Sequence, residues 1–88
     1  MLNSAGGSGS AEFLPGIVLP PLIHGMLRKH LTEIQVSSRV QDCVLAQQQA
    51  EGVIKALESA GTMSSSAIER LSVLIQDTAQ ARLANLGQ

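Results

Sequence analysis

"FLPGIVLPPLIHGML", residues 13–27, is the most apolar stretch of the chain and holds all three of its prolines. Pro15, Pro20 and Pro21 rule out one continuous helix through it, because proline lacks the amide hydrogen a helix interior uses and clashes with the preceding turn. Pro20 and Pro21 do suit a helix start, where the first amides have no partner inside the helix. The stretch therefore divides in two. Residues 13–19 read as an extended apolar arm with a turn at Pro15-Gly16. A short helix follows over residues 21–31, weakened by ~1 kcal/mol at Gly25.

Working outward, residues 33–60 read as a second helix, with no proline and no strand-like alternation. Its apolar seam is Val36, Val40, Cys43, Ala50, Ile54 and Leu57. With Gln47 included, the spacing alternates between four and three in a coiled-coil-like register. Val44, Ala46, Val53 and Ala60 widen the seam to an arc of roughly 200°, more than one neighbouring helix covers. Gln47 reads as an interface-edge residue or as a buried polar group that fixes register.

A third helix is expected over residues 66–86. Its stripe is Ile68, Leu71, Leu74, Ile75, Ala79, Leu83 and Leu86, with Glu69, Arg70, Gln76, Asp77 and Gln80 opposite. Val73 is the exposed exception, and Arg82 falls on the apolar side, where its stem can snorkel. Ser66 and Glu69 form a capping box at the start. Gly61 stops the preceding helix and Gly87 follows the last apolar residue. So short a connection makes the second and third helices antiparallel neighbours.

The junction between the first two helices carries its own signal. "TEIQ", residues 32–35, is a second capping-box pattern, with Leu31 and Val36 at the hydrophobic-staple positions. On one ideal helix, Ile23, Leu27, Leu31 and Ile34 lie ~150–180° from Val36, Cys43, Ile54 and Leu57. Either the helix breaks near residues 32–36, or one long helix has its first turns covered by another subunit. A break corresponds to separate helices over residues 21–31 and 33–60.

Composition bounds the function. The chain has 88 residues, one cysteine, one aromatic residue and a formal net charge of −1. That length allows one small, marginally stable domain. Residues 1–12, with their "GGSGS" run, read as a flexible linker of non-native origin outside the fold. Near-neutral charge and a lone Phe13 argue against nucleic acid as a partner. The basic cluster Arg28-Lys29-His30 is followed closely by Glu33 and reads as a solvated face. No apolar run reaches the ~18 residues of a membrane span. Cys43 has no partner for an intramolecular disulfide, which fits a reducing compartment, cytoplasmic or nuclear. His24 and His30 point ~120° apart on a helix, so they do not make a metal pair. No catalytic, metal or cofactor site is expected.

Several short patterns in the opening stretch resemble known peptides. "PGIVL", residues 15–19, resembles the Pro-x-Val-x-Leu peptides that add a strand to chromoshadow domains, with Ile17 in place of Val. The Leu/Ile/Met spacing over residues 22–34 is similar to leucine-rich nuclear-export signals. The plainer reading is that the stretch caps an open end of the helical bundle.

The sequence thus points to an all-α fold: an antiparallel hairpin preceded by a short helix, completed by dimerisation into a four-helix or larger bundle. The expected function is a non-enzymatic docking or oligomerisation module excised from a larger protein. Its core and interface are Val36, Val40, Cys43, Ala50, Ile54, Leu57, Ile68, Leu71, Ile75 and Leu83. Its partner-docking residues are Ile17, Leu19, Leu22, Ile23, Leu27 and Leu31. The alternative is a membrane-associating or secretion-apparatus component that uses the amphipathic segment 13–31.

Overall fold

A computed structural model describes residues 11–87. Among them are three helices and no strand: α1 (Pro21–Val36), α2 (Val40–Ala60) and α3 (Ser65–Leu86). Each helix packs against the other two. One core cluster joins all three helices to the segment that precedes α1.

That segment is a folded part of the core. Pro15 and Gly16 occupy the central positions of a β-turn, with Gly16 at φ +80°. This is the type II geometry that proline followed by glycine favours. The Ile17 amide donates to the Leu14 carbonyl at 2.8 Å, and the Phe13 amide donates to the Ile17 carbonyl at 2.8 Å. The Gly16 amide donates to the Glu12 carboxylate at 3.0 Å. The reading of residues 1–12 as a linker lies mostly outside the described residues, but Glu12 takes part in this turn. The turn folds the arm back so that Phe13, Ile17 and Leu19 are buried. Phe13 meets the His24 ring edge-on, with ring centroids 5.1 Å apart. The Arg28 guanidinium lies 4.5 Å from the Phe13 ring centroid, in cation–π geometry.

Helix α1 starts as its prolines dictate. Pro20 is the N-cap and Pro21 the first helical residue. The helix does not stop at Leu31, however, but runs on to Val36. Thr32 is not a cap. It lies in the helix interior, and its hydroxyl donates to the Arg28 carbonyl one turn back, at 3.0 Å. The reason is Ile34, which is fully buried along with Leu27 and belongs to the same stripe as Leu31. A helix ending at Leu31 would have left Ile34 without its place in the core.

The break falls at residues 37–39. Ser37 is extended and buried, and its polar groups are all paired. Its hydroxyl donates to the Ile34 carbonyl at 2.8 Å. Its carbonyl accepts from Arg82 Nε at 2.7 Å, across from α3. Arg82 thus does more than snorkel: it pins the α1–α2 turn to the last turns of α3. Because the chain restarts at Arg39 with extended backbone, the α2 seam begins at Cys43 instead of Val36.

Helix α2 ends at Gly61, which takes φ +70°, where its amide donates to the Glu58 carbonyl. Glycine adopts this left-handed conformation without steric penalty. The N-cap of α3 is Ser64, whose hydroxyl accepts from the Ala67 amide at 3.1 Å. It is not Ser66, which lies inside the helix. Three consecutive serines offered three capping positions, and the first is used. The small residues Ala46, Ala50 and Ala79 are buried, and the Cys43 thiol of α2 faces the Ala79 carbonyl of α3 at 3.9 Å.

Candidate interaction surface

The expected docking residues divide sharply. Ile17, Leu19, Leu27 and Leu31 are buried in the chain's own core and are not available to a partner. Ile23 is partly buried against the same core. Leu22 alone is open, at 75% exposure. Burial of Ile17 and Leu19 also removes the two side chains that a strand-adding peptide would present.

The expected core residues divide as well. Cys43, Ala50, Ile54, Leu57, Ile68, Leu71 and Ile75 are buried, and Leu83 packs against them partly exposed. Val36 and Val40 are not in the core: they are 68% and 51% exposed. The cause is the turn at residues 37–39. Val36 is the last residue of α1 and Val40 the first of α2, so both sit at the outer corner where the chain reverses.

That corner gathers more apolar surface. Val44 and Leu45 are also exposed, one turn along α2. A shallow groove is lined by Glu33, Val36, Ser37, Leu45 and Gln49. A neighbouring one is lined by Val40, Gln41, Val44, Leu45 and Gln48. Asp42 and Leu45 line both grooves, which brings Val36, Val40, Val44 and Leu45 together at one corner with an acidic residue beside them. Arg39 supplies the opposite charge, 3.5 Å from Asp42, with both side chains largely in solvent. A pair this exposed adds little to stability, ~0–1 kcal/mol. Its charges are therefore free to exchange partners at small cost. The sequence reading missed the patch because it assigned Val36 and Val40 to the seam. The displaced register of α2 is what exposes them.

Two further side-chain contacts are each local to one helix. His30 Nδ1 and the Glu33 carboxylate are 3.0 Å apart, one turn of α1. Gln47 Nε2 donates to Glu51 at 3.2 Å along α2, which places Gln47 at the seam edge. Among the described residues, no three metal-ligating side chains come together. No helix among them is long and apolar enough to cross a membrane. Comparison with protein-family models, curated proteins and solved structures finds no significant match.

Proposed function

We propose that the chain is a non-enzymatic docking and oligomerisation module, and that its corner patch joins two copies about a twofold axis. The observation that carries this reading is the group of four large aliphatic side chains, Val36, Val40, Val44 and Leu45, left in solvent around one turn. Exposed apolar patches of a few hundred Å² are the kind that mark interaction sites. A twofold interface must be self-complementary. The rim meets that requirement, since Arg39 and Asp42 stand side by side and Arg39 of each copy can pair with Asp42 of the other.

Within each protomer, α2 and α3 form an antiparallel hairpin. Supporting this, Cys43 near the start of α2 touches Ala79 late in α3. Ile54 and Glu58 further along α2 share a groove with Ile68 and Ser72 early in α3. Two such three-helix units meeting at their corners make the larger bundle. The membrane reading loses support because Phe13, Ile17, Leu19, Leu27 and Leu31, its apolar face, are used internally. Cys43 is buried and unpaired, which favours a reducing compartment, cytoplasmic or nuclear. Among the described residues, no group of three or more His, Cys, Asp or Glu side chains that could hold a metal ion comes together.

Four aliphatic side chains and one ion pair are few beside the ~20–30 residues a side of a standard interface. The dimer is accordingly weak, and dilution separates it. Sedimentation velocity over a wide concentration range tests this. The mass should rise toward that of two chains, and Leu45→Glu should hold it at one chain with the helical circular dichroism unchanged. A wild-type mass that stays at one chain at every concentration overturns the twofold reading.

A further inference from the structure

We infer that the outward face of α1, built from Leu22, Gly25, Met26 and Lys29, docks an acidic amphipathic helix of another protein. This face is separate from the corner patch and does not depend on the dimer.

Three observations meet here. The first is exposed apolar surface. Leu22 and Met26 stand one turn apart on the solvent side of α1, and Val18, just before the helix, is also exposed. One stripe of this width matches what a single helix buries when it lies along another.

The second is Gly25. A Cβ added there would meet nothing within 4 Å, and its φ is not positive. Nothing in the chain's own packing or backbone calls for glycine, although it weakens the helix by ~1 kcal/mol relative to alanine. On the helical projection Gly25 lies beside Leu22 and Lys29. It leaves a notch in which a second backbone can approach closely. Gly52 in α2 is equally open, but the exposed residues one turn either side of it are Gln48, Gln49, Lys55 and Ala56, none of them a large apolar one.

The third is charge. From residue 13 to residue 32 there is no Asp or Glu, while Arg28, Lys29, His24 and His30 all fall within it. Arg28 lies over the Phe13 ring, which does not neutralise it. The ion pairs formed by the described residues are His30–Glu33 and Arg39–Asp42, so neither Arg28 nor Lys29 has a carboxylate partner there. Glu33, one turn beyond Lys29 on the same side of the helix, has its carboxylate 3.0 Å from His30 Nδ1. A partner with carboxylates flanking an apolar stripe is complementary to this arrangement.

An anionic membrane is the less suited occupant. Two basic side chains gain only ~1 kcal/mol each near such a surface. Interfacial helices also rely on exposed Trp, Phe and Leu, whereas Phe13 is buried.

The test uses the full chain, labelled with nitrogen-15, and two synthetic helical peptides. Both carry leucines at the same i, i+4, i+7 positions. One has glutamates on the flanks and the other lysines. The glutamate peptide should bind about tenfold tighter or more, shift the amides of Leu22, Gly25, Met26 and Lys29, and weaken as salt shortens the screening length. Lys29→Glu should reverse the preference. Gly25→Trp should keep the helical signal, since its site is open, and lose binding about tenfold. The proposal is overturned if the two peptides bind equally, if the shifts fall on Val40, Val44 and Leu45 instead, or if Gly25→Trp binds as wild type. It is also overturned if phosphatidylserine vesicles sediment the protein while the glutamate peptide does not bind.

Discussion

The arm at residues 13–19 and the corner around residues 36–45 are both apolar and both flank α1, yet they have opposite fates. The arm reads as a cap on the bundle or as a segment that reaches a partner, and its Phe13, Ile17 and Leu19 are buried. The corner looked like the beginning of a core seam, and it is exposed. Hydrophobicity alone does not separate them. Chain direction does. A type II turn at Pro15-Gly16 reverses the arm onto the bundle, whereas the turn at residues 37–39 swings Val36 and Val40 outward.

Placing the same charge in each region should separate the two most strongly. Ile17→Asp buries a carboxylate with no partner, a change that costs several kcal/mol. In a domain of this size that is most of the stability, and circular dichroism should show loss of the cooperative melt. Leu45→Asp puts the same group in water at the corner. At concentrations low enough to keep the wild type monomeric, its urea midpoint should match wild type, within about 0.5 kcal/mol. If Ile17→Asp melts normally, the arm is not core. If Leu45→Asp unfolds the chain, the corner is not surface.

A milder test concerns the turn that makes the corner. Arg82 Nε donates to the buried Ser37 carbonyl. Arg82→Met keeps most of the stem but leaves that carbonyl without its donor, which should cost about 1–3 kcal/mol in urea unfolding. Amide exchange should quicken first at Ser37 and Ser38. An unchanged urea midpoint would show that the turn holds without α3.

What was legible in the sequence, and what was not, follows from the range of the interactions involved. The α3 stripe of Ile68, Leu71, Ile75 and Ala79 was readable because helical periodicity is repeated along one element. Gly61 was readable because a glycine after a long apolar pattern has a local reason to be there. The Thr32 capping box misled for the same local reason. Four residues had the right letters, but the burial of Ile34 against the other helices outweighed a cap worth ~1 kcal/mol. The destination of the arm depends on where Phe13, Ile17 and Leu19 find empty core, and no local pattern encodes that. The corner patch was missed in turn, because it exists only once α1 extends to Val36 and α2 starts a new register at Val40.

The smallest effects sharpen the distinction between a cap and a letter pattern. Ser64→Ala removes the acceptor for the Ala67 amide and should lower stability by ~1 kcal/mol. Ser66→Ala, inside the helix, should be neutral or slightly stabilising, because alanine is the better helix former. Thr32→Ala should behave like the second. Its hydroxyl donates back to the Arg28 carbonyl, a bond that competes with the helix's own ladder and adds little. The three variants, melted side by side, therefore report where the helices begin. If Thr32→Ala cost as much as Ser64→Ala, α1 would end in solution near Leu31. Val36 would then leave the corner for the α2 seam, and the contrast between arm and corner would lose its structural basis.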